Sequence, residues 1–321
     1  MVIADALRDR GRPVQFILPG HRDAAHRWIE RQGFSASVAA WGAPSDWVRD
    51  VEPEAVVYDP IHSYWLEETA TLFDEIEIVG RSTRTVLFDG YGAQSYRCQR
   101  QAPEPDVVIA PYVGEPGPCH IAPGRVLAGP AYFPLAAPFR GTDRRGVCAD
   151  VERVLVTCGG ADPRAATPGL LEAVLGLPGI RVDVVVGAVF SEENRKQINM
   201  IAGRHNDRVA VIDAPASLAA TMSRADLCVC ANGLTKYELA AMGVPTLALS
   251  LSPAHHETNL AFADTGALSV LGMLDAIDGP QITDAAAHLI SDRQCRTRMS
   301  EAGMALIDGL GTERILNEAS L

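Results

Sequence analysis

Lysine is nearly missing from this chain: it stands at positions 196 and 236 only, and arginine carries the rest of the positive charge. No basic block exists, and the formal net charge is -12. That balance argues against a general nucleic-acid binder, because neutralising a phosphate backbone takes clustered Lys and Arg. An anionic ligand would have to be held locally, by backbone N–H groups at helix N-termini. A run of apolar residues long enough to span a membrane is also lacking, as is a signal-peptide pattern, which makes a reducing cytoplasm the expected compartment. The seven cysteines (Cys98, Cys119, Cys148, Cys158, Cys228, Cys230 and Cys295) include no CxxC pair, which argues against structural zinc. Cys228 and Cys230 sit two apart in an apolar run, sharing one face of a strand.

What is present is the composition of a globular protein, 47% hydrophobic and 21% charged over 321 residues. That length suits two domains, each with its own core. The first part alternates helix and strand: "VIADALRDRG" and "HRDAAHRWIERQG" read as helices closed by Gly11 and Gly33, while "PVQFILP", "EAVVYDP" and "RTVLFDG" read as strands, the last two ending in Asp59 and Asp89. Between Ala102 and Asp150 the chain is rich in Pro and Gly and reads as an interdomain connection ending near 140–149. A second, more regular series follows, from "RVLVTCGG" through "LCVCANG" and "TKYELAAMG" to "VPTLALSL". Strands that are continuous apolar runs separated by helices predict parallel sheets covered on both faces. The expected class is therefore α/β, two doubly wound Rossmann-type domains, 1–140 and 141–321, with the ligand in the cleft at the carboxyl ends of the strands. The chain opens directly on a helix, where such a domain normally begins with a central strand and its ligand-facing loop; the expectation is an upstream start or a lost element.

Four constellations are candidates for chemistry. "VLVTCGGADP" runs a buried strand into Gly159-Gly160 and then Ala161 and Asp162, where a backbone without side chains lets a phosphate approach. A simple turn explains the glycines equally well, and the Gly-Lys-Ser/Thr ending of a P-loop is absent. "CANGLTKYELAAMG" places Asn232 and Gly233 in a turn, Leu234 and Thr235 at a helix start, and Glu238 three residues after Thr235. That spacing is a capping box, or else Glu238 accepts the ribose hydroxyls of a nucleotide. "SPAHHETN" reads as a polar loop after a strand, with His255 and His256 as surface residues and Asn259 as the cap of the next helix. Asp59, Asp89 and the nearby His62 lie at strand ends of the first domain, as general acid or base candidates or as helix caps.

The helix "TKYELAAMGVPT", the strand exit "CGGADP" and the stretch "LAGPAYFPL" (127–135) together resemble the nucleotide-sugar hydrolase of pseudaminic acid biosynthesis and its spore-coat polysaccharide relatives, members of the GT-B glycosyltransferase-like superfamily. The resemblance covers most of the chain and is specific in the second domain. It implies a UDP-sugar ligand with Gly159, Gly160, Ala161, Leu234 and Thr235 near the diphosphate, Glu238 on the ribose, and His256 and Asn259 facing the diphosphate or sugar. It also implies that water attacks the anomeric carbon and UDP leaves, with no metal or cofactor.

Against that pattern the chain has departures. The family's Gly-x-Gly-His segment, which carries the histidine thought to activate water, precedes the helix that Val2 to Arg10 resembles and is not in this sequence. Asp59-Pro60-Ile61 stands for Asp-x-Tyr, Phe88-Asp89-Gly90 for Phe-Asp-Asp, and Ala136 for an Arg. The nucleotide half is kept and the sugar half is altered. The expected function is a nucleotide-sugar hydrolase; a glycosyltransferase using the same donor site and a non-catalytic sugar-nucleotide-binding partner are the alternatives. Oligomeric state, base and sugar are not readable from these residues.

Overall fold

A computed structural model of the chain describes residues 1–19, 23–39, 44–59, 69–90, 95–96, 104–114, 120, 126–140, 146–231 and 233–321. Packing divides them into two units, Met1–Pro134 with Leu310–Leu321, and Leu135–Gly309.

The first unit holds α1 (Val2–Asp9), β1 (Gln15–Pro19), α2 (Asp23–Arg31), β2 (Ser35–Ala39), α3 (Pro44–Val51), β3 (Ala55–Tyr58), α4 (Thr69–Val79), β4 (Arg84–Phe88), β5 (Val107–Ala110) and β6 (Val126–Ala128). Strands β1 and β2 pair in parallel, and β3-β4-β5-β6 form a second parallel sheet in that order. Successive strand residues face opposite ways. Val86, Val107 and Ile109 therefore pack with Ile3 and Ala6 of α1 on one face, while Leu87 and Val108 pack with Leu72 and Ile76 of α4 on the other. Both faces are covered, which is why these strands carry no polar alternation.

Two expectations change here. The stretch from 102 to 150, read as a connection, contains β5 and β6, whose four- and three-residue apolar runs are too short for a periodic signal. The C-terminal segment, which the boundary at 140 leaves with the second domain, packs with the first unit: Ile315, Leu316 and Ala319 seal the α1 face of the sheet. Gly311 is the point of closest approach there, since a Cβ on it would fall 2.2 Å from the Phe133 carbonyl oxygen.

The second unit follows the sequence series closely: β7 (Arg153–Thr157), α5 (Ala166–Leu175), β8 (Arg181–Val186), α6 (Glu192–Arg204), β9 (Val209–Asp213), α7 (Ala219–Met222), β10 (Leu227–Ala231), α8 (Thr235–Ala241), β11 (Thr246–Ser250), α9 (Pro253–Ala263), β12 (Ser269–Met273), α10 (Gly279–Ser291) and α11 (Arg293–Leu306), with α12 (Gly311–Glu318) returning to the first unit. Every residue of β10 and β11 is buried, as their unbroken apolar runs require. The all-parallel sheet has the order β12-β11-β10-β7-β8-β9. The chain thus winds outward one way from β7 and the other way from β10. Ligands of open α/β sheets bind outside the carboxyl ends of the strands at such a reversal, here between β7 and β10.

Candidate functional site

Both glycine turns of the sequence reading fall at that reversal, since β7 runs into Gly159-Gly160 and β10 into 232–233. Gly159 has φ +74°, a left-handed backbone that favours glycine. From the β8 side the turn is clamped, because Val189 N–H donates to the Gly160 carbonyl at 3.0 Å and a Cβ on Gly187 would lie 2.3 Å from that same oxygen. On their own outer side Gly159 and Gly160 meet nothing within 4 Å of where a Cβ would stand. The turn is held rigid from behind and open in front.

Asp162 departs from its expected role. Its carboxylate accepts the N–H groups of Ala166 at 2.8 Å and Thr167 at 2.9 Å and the Asn194 amide at 2.9 Å. With Asp162 only 4% exposed, both oxygens are spent on capping α5 and tying it to α6. The start of α5 is therefore occupied by a protein carboxylate, whereas the start of α8 has no side-chain cap.

At that side Asn232 lies outside the described residues. Gly233 has open space around it, and Leu234, the N-cap of α8, makes no side-chain capping bond and is 59% exposed. Thr235 is the first helical residue, so the capping-box alternative for Glu238 is not formed. Glu238 is half-buried, and among the described residues nothing donates a hydrogen bond to its carboxylate. Burial alone pushes that carboxyl up to about 7. The other buried acids of this unit contrast with it. Asp183 holds Arg153 and Arg224, and Asp226 accepts the N–H groups of Glu152 and Arg153. An unpaired carboxyl beside a ligand crevice is what a functional acceptor looks like before its ligand arrives.

The "SPAHHETN" stretch is not a loop. Ser252 caps α9 by accepting the His255 N–H at 3.2 Å, Pro253 opens the helix, and His255 is exposed. Asn259, expected as a cap, lies inside α9 and is fully buried. It joins a network that sequence reasoning missed. Lys236 Nζ donates to Asn259 Oδ1 at 3.0 Å and to Thr258 Oγ1 at 3.2 Å, Asn259 Nδ2 donates to Ser250 Oγ at 2.9 Å, and Ser250 Oγ lies 3.2 Å from His256 Nδ1. Lys236 is 5% exposed and has no carboxylate partner among the described residues, and burial lowers its amine to about 8. The available signal was compositional, one of only two lysines placed on the helix of interest.

In the first unit, Asp89 is also engaged. It is 2% exposed and accepts Gly90 N–H at 2.8 Å, Tyr96 N–H at 2.6 Å and Ser95 Oγ at 2.5 Å, so it shapes its own loop. Asp59 keeps solvent contact, yet crowding by protein raises its carboxyl above the ordinary range, against the pull of the chain's positive N-terminus. His62 lies outside the described residues. Two residues join these acids unforeseen. Tyr112, held up to about 12 by burial and then by the charges of Asp59 and Asp89, follows β5. Glu75 of α4, 8% exposed, is raised by burial to about 7.

No protein-family model matches the chain. It is similar to the spore coat polysaccharide biosynthesis protein SpsG of Bacillus subtilis (strain 168), 26% identical over 192 residues that make up 60% of this chain and 57% of that relative, less than two thirds of its length. Among solved structures it is similar to MurG of Acinetobacter baumannii, with TM-score 0.68 at 14% identity over 99% of this chain and 94% of that one. The S. aureus MnaA structure with UDP gives TM-score 0.65 at 16% identity, covering 98% and 90% of the two chains. HepE of Anabaena, in complex with UDP and glucose, gives 0.61 at 14% identity, covering 99% and 94%. Identities this low carry the fold alone. Among the described residues no helix is long and apolar enough to cross a membrane. The chain thus resembles SpsG in sequence over part of its length and shares the fold of these solved structures.

Proposed function

We propose that the chain is an enzyme acting on a nucleotide sugar, UDP-linked in the first instance, and that residues 135–309 hold the nucleotide. The observation that carries this is Glu238, a half-buried carboxyl without a partner among the described residues, beside the open turn at the β7/β10 reversal. A ribose offers two adjacent hydroxyl donors, and a carboxylate accepting both is a charge-assisted pair. The diphosphate then meets the bare backbone of Gly159, Gly160 and Gly233 and the uncapped start of α8, which suits a protein with net charge -12. MnaA and HepE, whose structures contain UDP, support the choice of base by likeness of fold.

In the reading we favour, the anomeric C–O bond breaks, the electron pair leaves with UDP, and water supplies the new bond to carbon while its proton passes to a carboxylate base. Of the carboxylates that the sequence offers, Asp59 is the one left for that role, because Asp89 is committed to its own loop. A second reading, transfer to a hydroxyl or amine acceptor, is favoured by the departures at Asp59-Pro60-Ile61 and Ala136 from the hydrolase pattern. Calorimetric titration with UDP, CDP, GDP, ADP and dTDP tests the nucleotide site, and heat with none of them overturns the proposal. Incubation with UDP-sugars then separates the readings: free sugar formed without any acceptor supports hydrolysis, and turnover only after acceptor is added supports transfer.

A further inference from the structure

The relay under α8 and α9 has a direction, and the direction assigns a role to His256. An ammonium group can only donate. Lys236 therefore fixes the Asn259 side chain with Oδ1 toward Nζ, at 3.0 Å, and leaves Nδ2 to donate to Ser250 Oγ, at 2.9 Å. Ser250 is fully buried, and its hydroxyl proton needs an acceptor. Asn259 Nδ2 is a donor, so the His256 ring nitrogen Nδ1, at 3.2 Å, is the acceptor within reach among the described residues. Thr258 agrees with this polarity, for its Oγ1 accepts from Lys236 and passes its own proton to the His255 carbonyl at 2.9 Å.

We infer that the buried Lys236–Asn259–Ser250 relay holds His256 as the neutral Nε2–H tautomer, so that the imidazole presents a hydrogen-bond donor to the diphosphate of a bound nucleotide and does not act as a base. A proton placed on Nδ1 would set two donors face to face and strand the Ser250 hydroxyl, so the relay opposes the other tautomer. His256 is half-exposed and its Nε2 has no partner among the described residues, which leaves that N–H for a ligand. Lys236, Asn259 and Ser250 act through the ring and are positioning residues. The inference rests on the proposed nucleotide site for the ligand, but not for the tautomer.

Ring-15N histidine labelling of the full chain tests it. The His256 signals are identified by their loss in H256Q, and long-range 1H–15N spectra at pH 7 without ligand are expected to show a pyridine-like Nδ1 and a pyrrole-like Nε2. Lys236→Met is expected to give exchange-averaged signals of both tautomers. Ser250→Ala cuts the relay beside the ring without touching the cation, and keeps the test open if K236M does not fold. UDP should shift the Nε2 resonance, and H256A should weaken UDP about tenfold or more while H256Q, which retains a donor, stays within about threefold. An Nδ1–H or imidazolium ring in the parent protein overturns the inference, as does an unchanged tautomer in S250A. UDP heat without a shift at His256 overturns the donor role and leaves the nucleotide site standing. Absence of any UDP heat with the expected tautomer refutes the nucleotide site and upholds the relay.

Discussion

Replacing Glu238 by Gln keeps the shape of the side chain and removes its charge. Burial holds the carboxyl at about 7 against an ordinary 4.5, so between those values the folded protein keeps a proton that the unfolded chain has released. Stability from that proton is complete below about pH 4.5 and is lost as pH rises through 7. The full difference corresponds to ~3 kcal/mol, reduced to about 2 kcal/mol because the side chain keeps some solvent contact. Glutamine is neutral at every pH, so E238Q should melt about 4–8 °C above the parent at pH 8.5 and level with it near pH 4.5. The same change removes the ionised acceptor from the ribose, and UDP should bind about tenfold more weakly or worse. Scanning calorimetry at the two pH values and isothermal titration at pH 7.5 read both effects on one pair of proteins. A variant that gains stability and keeps its UDP affinity would refute the ribose role. A variant with no gain at pH 8.5 would refute the claim that the carboxyl is held unpaired.

Two further substitutions probe the walls of the crevice. Asp162→Ala leaves two α5 N–H groups and the Asn194 amide without their acceptor, and should cost about 2–4 kcal/mol in urea denaturation, with Asp162→Asn milder. Gly187→Ala forces a methyl to within 2.3 Å of the Gly160 carbonyl oxygen; the turn must shift, at about 1–3 kcal/mol of stability and with loss of UDP heat, whereas intact UDP binding in a folded G187A would show that the turn does not touch the diphosphate.

Much of the second unit is written locally in the chain, and that part was legible. The apolar runs of β7, β8, β10 and β11 and the glycines that end them are short-range signals, and the strand–helix alternation dictates parallel pairing. Helix α9 was missed because its capping pair Ser252-Pro253 opens a run of polar residues, and polarity was taken for a loop. The lone carboxyl of Glu238 was beyond sequence reasoning, since the lack of a partner is a property of space. So was the link from Lys236 to Ser250, which exists only because β10 and β11 are neighbours in the sheet and α8 and α9 follow them. Asp162 was read only as part of the glycine turn, whereas an acidic residue before a helix is first of all a cap, and its carboxylate caps α5.

The return of α12 to the first unit makes Leu135–Gly309 an insertion within another domain. During synthesis, Val86, Val107 and Ile109 leave the ribosome long before Ile315, Leu316 and Ala319, which cover them. The middle of the chain, contiguous and rich in local contacts, can finish folding while the N-terminal sheet still has one apolar face bare. Truncation at 310 would accordingly injure the N-terminal unit and spare the core of Leu135–Gly309, although the cut is made at the opposite end of the polypeptide.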